Sequence, residues 1–300
     1  MQEQPLLTKD IDALQGRLEK RSQWAEMWRR LKKNKMAMIG LTIFCLLILM
    51  AIFADLLAPA GFNAQNFMTR EFPPGDQGFL LGTDRFGRGI LDRIIHGSRV
   101  SLSIGFISVS IAILLGGSLG ALAGFYGGIV DNVVMRFMDI LLAIPSILLA
   151  ISIVAALGSS LFNVMIAVGV SSIPGYARIV RSSVMSLKEQ EFVDAARAIG
   201  AKNRRIILRH IIPNSLAPVI VQGTLGVASA ILSAAGLSFI GLGPSPPNPE
   251  WGALLAEGRD YIRDAPWMTL YPGLFIMITI FSLNLLGDGL RDALDPKLRN

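Results

Sequence analysis

Runs of about 20 apolar residues constrain this chain more than any other feature, because a helix of that length matches the hydrocarbon core of a bilayer. Met36 to Leu57 is the first, with Asp55 near its far edge and Pro59 just beyond. Several such runs are too much for a soluble core to hide. Composition agrees: 52% of the 300 residues are hydrophobic and 17% are charged, against roughly a quarter charged in an average soluble chain. Disorder and collagen-like repeats are excluded on the same grounds. Cys45 is the single cysteine and sits inside the first run, so no disulfide framework forms within the chain. The sequence predicts an all-α membrane protein. Met1 to Lys35 is long, mixed in charge and without a small-residue cleavage site, so the first run is expected to stay as an anchor.

Six spans are expected. After the first, placed at 36–58, the stretch Pro59 to Arg99 carries Pro73-Pro74-Gly75 and five arginines, and reads as an extramembrane loop with short helices. A core at 100–290 then holds the rest: Val100 to Phe125, Ile140 to Leu157, the short Leu161 to Tyr176, Leu216 to Leu242, and Thr269 to Leu286. Pro145 is expected to kink the third span. An N-terminal segment at 1–35, a polar loop at 178–213 and a tail at 291–300 complete the organisation.

The net charge of +6 raises nucleic acid as a partner, so where the cations fall decides the matter. Of the 28 Lys and Arg, 21 are Arg136 and those of the N-terminal segment (nine), the 178–213 loop (eight) and the tail (three), and seven lie in the alternate loops. That asymmetry is the positive-inside pattern. It places both termini on the cytoplasmic side and leaves no positive patch for nucleic acid.

The 178–213 loop is longer than a connection needs. Within it Phe192, Ala195, Ala196 and Ile199 recur at helical spacing and make a narrow apolar face, with Gly200 as the C-cap. A second short helix with Lys202, Arg204, Arg205 and Arg209 is stopped by Pro213. A face of one Phe and small residues suits docking into a partner's groove. Pattern alone fits equally a helix lying on lipid headgroups.

Glu191-Phe-Val-Asp-Ala-Ala-Arg-Ala-Ile-Gly200, followed by Arg209-His-Ile-Ile-Pro213-Asn214, resembles the EAA loop of ABC importer permeases. In that family the motif reads Glu-Ala-Ala, three residues, Gly, then nine residues to Ile-x-Leu-Pro. Asp194 stands for the Glu, Ala195, Ala196, Gly200 and Pro213 match, and His210 and Ile212 replace the Ile and Leu. Leu81-Gly-Thr-Asp-Arg-Phe-Gly-Arg-Gly-Ile-Leu-Asp-Arg93 with Gly97-Ser-Arg-Val-Ser-Leu102 is similar to the outer-loop signature of C-type permeases of dipeptide and oligopeptide importers. Gly82, Thr83, Asp84, Gly87, Arg88, Arg93 and Arg99 carry it. Gly89 stands where that signature has Asp, and Asp92 where it has Ser. Further similarity lies in Gly127 to Arg136, Asp139 to Pro145, Pro249-Glu-Trp-Gly252 and Leu286 to Lys297, so it runs from about Trp28 to the end.

The resemblance implies a six-transmembrane-helix, type I, MetI-like permease whose coupling helix, at Asp194 to Gly200, seats in an ATP-binding subunit. It implies a second homologous permease as heterodimer partner, two ATP-binding subunits and an extracytoplasmic substrate-binding protein, in a bacterial cytoplasmic membrane. The chain itself would bind no cofactor, ATP and magnesium being held by the partner subunits. Peptides are the implied cargo, with nickel or another small solute as the alternative. A membrane receptor or scaffold recruiting a cytoplasmic partner is the alternative of another class.

Several sharper motifs dissolve on inspection. Gly116-Gly-Ser-Leu-Gly120 fits the G-x-S-x-G nucleophile pattern, yet it lies in an apolar helix without a preceding strand. His96 and His210, the two histidines, fall in loops on opposite faces and cannot serve Ser118. Gly116, Gly120 and Gly124 read instead as a small-residue packing face. Gly82 to Gly87 has Walker A spacing, but Arg88-Gly89 follows where Lys and Ser or Thr are required. No metal-ligand spacing appears, so the chain is expected not to be an enzyme. Arg136 and Asp139 read as an interfacial pair, and Glu250 and Trp251 as outer-loop interface anchors or a gate. Gln222, Thr224, Ser229 and Ser233 on the fifth span either line a pathway or serve helix packing.

Overall fold

The computed structural model describes residues 23–245 and 247–294. Residues 1–22 of the N-terminal segment and 295–300 of the tail, with Lys297 and Arg299 of the charge count, lie outside the described residues. Among the described residues the chain forms helices and no strand, the lone bridge being Thr83 with Gly89. The helices that matter are α1 (Gln23–Lys33), α2 (Lys35–Ile52), α3 (Ile90–Tyr126), α4 (Gly128–Leu142), α5 (Ser146–Leu157), α6 (Leu161–Lys188), α7 (Glu191–Ala198), α8 (Leu216–Phe239), α9 (Trp251–Gly258) and α10 (Trp267–Leu294).

Five of them, α2, α3, α6, α8 and α10, are long and apolar enough to cross a membrane, and α4 with α5 makes a sixth crossing if the bent pair counts as one. The break between α4 and α5 turns the axis by 86°. This is a full break rather than the expected kink. Pro145 has no N–H to give to Leu141, whose carbonyl takes the N–H of Ile144 instead, at 3.3 Å. Pro145 then stands as the N-cap of α5.

Two further boundaries differ from the sequence reading. Helix α3 begins at Ile90, not Val100, so residues 90–99 belong to the second span's helix and the outer loop ends at Gly89. At 37 residues it is about 55 Å long, nearly twice the hydrocarbon thickness. Its outer turns persist because Ile90 and Ile94 are buried against Trp251 and Met268 of an outer layer. Helix α6 does not end at Pro174 but runs through it to Lys188. Proline costs a membrane helix one hydrogen bond, and packing on both sides holds the helix across the gap.

That packing is unusually close. A Cβ built on Gly116, Gly120 or Gly124 of α3 would come within 3.0 Å of the carbonyl oxygen of Ile173, Ala177 or Arg181 of α6, and Ser108 Oγ donates to the Met165 carbonyl at 2.9 Å. Every one of these pairs has the same sequence offset of 57. The two helices therefore run parallel, with their backbones touching from about 108 to 124 of α3 and 165 to 181 of α6. This is the arrangement small residues permit in membranes, where packing replaces the hydrophobic effect as the force between helices. Ser118 Oγ bonds its own Leu114 carbonyl, which fits a packing helix and not a nucleophile.

Contacts at the two ends fix the relative sense of the spans. Asn34 donates to Asp292, Gly289 meets Ala37, and Phe125 packs with Val184 and Val193, so the starts of α2 and α8 and the ends of α3, α6 and α10 share one face with α7. On the opposite face Arg99 reaches the end of α2, and α9 packs under the start of α10. The wide exposed apolar surface, including Leu46, Leu114, Phe137, Phe162 and Phe281, faces lipid or further subunits.

Candidate functional site

Two built sites stand at opposite ends of the α3–α6 pair. The first is α7, on the face shared by both described chain ends. Eight residues make a marginal helix in isolation, so what it packs against decides its place. Val193 and Ala196 are buried among Phe125, Val180, Val184, Ile206 and Ile211, with Phe192 half-buried beside them. Ala195 is exposed and Ile199 is 85% exposed. The apolar face expected from Phe192, Ala195, Ala196 and Ile199 is thus split: half of it anchors the helix and half is left free. The free side carries Glu191, Asp194, Ala195, Ala198 and Ile199.

Gly200 ends α7 at φ +78°, with its N–H on the Arg197 carbonyl (2.9 Å) and Ala201 N–H on the Ala196 carbonyl (3.0 Å). This is a Schellman cap, and the left-handed position favours glycine. Asp194 pairs with Arg197 at 3.2 Å on the exposed side. Residues 207–211 then form a single π-helical turn, and Pro213 sits in the turn 212–214. The helix expected to stop at Pro213 instead leads on, through Ser215, into α8. A wider turn frees a carbonyl from needing the proline's missing N–H, and such turns recur at functional positions.

Above α7, charged residues lock α4 to α6. Arg181 forms a two-pronged pair with Asp131, and Arg178 meets Asp139 at 2.6 Å. Asp139 was expected to pair with Arg136; the latter is three residues away on the same helix and remains exposed. Tyr176 Oη donates to the Gln222 carbonyl at 3.1 Å, tying α6 to α8 where Gly226 leaves room for the ring. Gln222, Ser229 and Ser233 fall on one side of α8, Thr224 about half a turn round from them. Ser229 is exposed, while the other three are half-buried. Gln222 also lines a cleft of about 560 Å³ bounded by Ile179, Ala217, Leu225, Arg291 and Leu294, opening toward the α7 face.

The second site is an ion network at the opposite end of the bundle from α7. Gly82 and Gly87 adopt positive φ where Phe72 and Asn66 backbones press on them, and Thr83 Oγ1 bridges the Thr69 carbonyl and Phe72 N–H. This turn presents Asp84, whose Oδ2 accepts from Arg88 Nε at 2.6 Å and Arg93 Nη1 at 2.9 Å. Glu257 of α9 completes a four-charge cluster, accepting from Arg93 at 2.6 Å and Arg88 at 3.1 Å. Asp84, Arg88 and Arg93 are almost wholly buried, and Arg93 Nε is left without an acceptor among the described residues. Two arginines against two carboxylates balance the charge; removing one partner strands a buried ion.

Arg99 serves a different end. Its guanidinium donates to the Ala51 and Ile52 carbonyls, the unsatisfied end of α2, and to Asp55. That hydrogen bond holds the Asp55 carboxyl, past the end of the span, below the usual carboxylate range. Gly89 and Asp92 touch: a Cβ on Gly89 would lie 2.5 Å from Asp92 Oδ2. Glu250 and Trp251 are no interface anchors. Glu250 is buried and accepts from Gly252 and Ala253 N–H, capping α9, and Trp251 is buried with its Nε1 donating to the Ile94 carbonyl.

Sequence reasoning passed over Glu257, Val193 and Tyr176. The signal for Glu257 was available as charge balance, since Arg88 and Arg93 in an outer loop needed more than one carboxylate.

The bundle is similar to the permease in solved structures described as inward-facing conformations of the MetNI methionine ABC transporter: TM-score 0.55, 19% identity, 68% of this chain and 96% of that one. At that identity the likeness speaks for the fold. The fold defines a class: a helical membrane protein with several crossings, built like a MetI-type permease. Residues 116–300 match the family described as binding-protein-dependent transport system inner membrane component, and residues 22–74 match the N-terminal TM domain of oligopeptide transport permease C. The chain belongs to the binding-protein-dependent inner membrane component family of ABC transporter permeases. Its relatives include the dipeptide transport system permease protein DppC of Alkalihalophilus pseudofirmus, 51% identical over 93% of this chain and 91% of that one. The di/tripeptide transport system permease protein DppC of Pseudomonas aeruginosa is 47% identical over 92% of each chain. The glutathione transport system permease protein GsiD of Escherichia coli is 45% identical over 93% and 92%. Membership implies ATP-binding subunits and a substrate-binding protein as partners, and sets aside the receptor or scaffold reading.

Proposed function

We propose that this chain is the C-type permease subunit of an ATP-driven importer of dipeptides or short oligopeptides, working in a bacterial cytoplasmic membrane with both termini in the cytoplasm. The observation that carries the mechanism is the division of α7 into an anchored and a free side. The free side, Asp194, Ala195, Ala198 and Ile199, seats in a groove of an ATP-binding subunit, where small residues permit close approach. Closure of two such subunits on ATP, held with magnesium by them and not by this chain, pushes on α7. The push passes through Val193 and Ala196 to the inner ends of α3 and α6. Because those two helices touch backbone to backbone, they move as one body and carry the displacement to the outer ion network.

A second, homologous permease completes the pathway as heterodimer partner, and an extracytoplasmic substrate-binding protein delivers peptide to the outer loops. Gln222, Ser229 and Ser233, on one side of α8, line the pathway; Thr224, on the other side, turns its hydroxyl back onto the Ile220 carbonyl of its own helix. Alternating access then follows from the differential affinity of the ATPases for the two states. Peptide as cargo is supported by relatives whose names specify dipeptides, di/tripeptides and glutathione, itself a tripeptide.

Ile199→Glu tests the coupling. The change lies on the free side, so insertion and assembly of the permease pair should be normal, while dipeptide uptake and substrate-stimulated ATPase activity should fall by tenfold or more. Unimpaired uptake in that variant would overturn the reading.

A further inference from the structure

On the inner face, where α1 meets the end of α10, lies a cleft of about 550 Å³ lined by Arg29, Arg30, Lys33, Asn34, Gly289 and Asp292. It sits apart from α7 and from the α8 pathway face. Its walls are set by packing: Leu31 is buried, and Gly289 meets both Leu31 and Ala37, so the backbones of α2 and α10 approach closely and α1 closes the wedge beneath them. Arg30 is held by Glu26 at 2.7 Å. Arg29 and Lys33 have no ion-pair partner among the described residues, and Asp292, the one carboxylate on the wall, is engaged by Asn34 at 3.5 Å. The Asn34 amide is neutral and leaves Asp292 its charge, so the cleft holds two uncommitted cations against one carboxylate and is net cationic by one.

Its depth decides what fills it. Asn34 caps α2, whose apolar run starts at Met36, and Gly289 lies just past the apolar part of α10. The opening thus falls where two spans leave the hydrocarbon, the level of the headgroup phosphates. Trp28, 42% exposed with Lys32 Nζ 5.3 Å from its ring, stands beside it, as aromatic residues do at that level.

We propose that this cleft is a binding site for a phosphate oxyanion, presented by the headgroup of an anionic phospholipid, with Arg29 and Lys33 as its principal donors and the Asn34 amide beside them. The bound lipid clamps α1 against α10 and so joins the first span to the last. The site depends on membrane placement alone and not on the identity of the cargo.

The test uses the full chain purified with its co-eluting subunits. Native mass spectrometry with added phosphatidylglycerol or phosphatidylcholine counts retained lipid in wild type, in Arg29→Gln/Lys33→Gln, and in Lys32→Gln, whose side chain is outside the cleft. Each uncommitted cation contributes about fivefold in affinity for an anionic lipid, so the double variant should bind phosphatidylglycerol about thirtyfold more weakly. Lys32→Gln should behave as wild type, and phosphatidylcholine should be retained weakly by all three. A parallel arm heats lipid-free samples with 10 mM inorganic phosphate. Phosphate protection of wild type but not of the double variant supports the oxyanion site with free phosphate as a competing occupant. Unchanged phosphatidylglycerol retention in the double variant, or equal retention of phosphatidylcholine by wild type, overturns the proposal.

Discussion

Replacing Gly120 by alanine adds one methyl group, and the structure says where it goes: within 3.0 Å of the oxygen, carbonyl carbon and Cα of Ala177. All three are backbone atoms, so no rotamer change relieves the contact. Ordinary van der Waals separation is 3.4–4 Å, so the α3 and α6 backbones must part locally by several tenths of an ångström or more. Overpacking of this kind costs about 1–3 kcal/mol. Gly117 provides the control, because a Cβ there meets only Val180 Cγ2 at an ordinary 3.7 Å. Gly117→Ala should be neutral or gain up to about 1 kcal/mol from helix propensity. The helix-propensity gain is common to both variants, so the two, three residues apart on one helix, should differ by the overpacking cost, about 1–3 kcal/mol. Reversible unfolding of the permease in mixed micelles reads that difference, and uptake should fall for Gly120→Ala alone. Equal stability of the two variants would refute the claim that α3 and α6 are in backbone contact and move as one body.

Glu257→Ala leaves buried Arg93 with Asp84 as its one remaining partner; with Glu257 itself partly solvated, the loss should be about 2–3 kcal/mol, below the 3–5 expected for a wholly buried pair, measured by the same unfolding. Gly89→Asp should destabilise the outer loop by setting a second carboxylate against Asp92, and Asp92→Ser should reverse the effect; a double-mutant cycle with coupling below about 0.5 kcal/mol would count against the contact. Gly200→Ala places a side chain at φ +78° and should cost about 1–2 kcal/mol locally, seen as faster hydrogen exchange through 191–201 without loss of the bundle. Val193→Asp buries a charge and should release α7 altogether, abolishing ATPase stimulation while the spans still insert.

The membrane spans were legible because hydropathy over twenty residues is a sum that no single contact overturns. The boundaries were not. Pro174 and Val100 looked like ends because local rules governed the reading, whereas the helices continue where a glycine stripe and the outer layer around Trp251 support them. The α7 helix and its Gly200 stop could be read from spacing, but not which side it buries. With Phe192, Val193, Ala195, Ala196, Ala198 and Ile199 distributed around eight residues, the sequence leaves the choice of face to Phe125, Val184 and Ile211, which are distant in the chain. Asp139 found Arg178 rather than Arg136 for the same reason: a residue one turn away on one helix competes poorly with a long arginine facing it from the next. Glu250 and Trp251 read as interfacial by type, yet a carboxylate within reach of two orphan N–H groups caps a helix, and an indole with an acceptor such as the Ile94 carbonyl can be buried.

The central claim is that α7 is gripped on its free side by an ATP-binding subunit. Single cysteines placed in turn at 191–200, in a Cys45→Ser background and in the assembled transporter, measure it by zero-length and short-arm cross-linking to the ATPases. Cross-links should come from positions 194, 195, 198 and 199, vary with ATP, and be absent from 193 and 196. Reaction at 193 and 196 instead, or capture of lipid and no ATPase from every position, would contradict it.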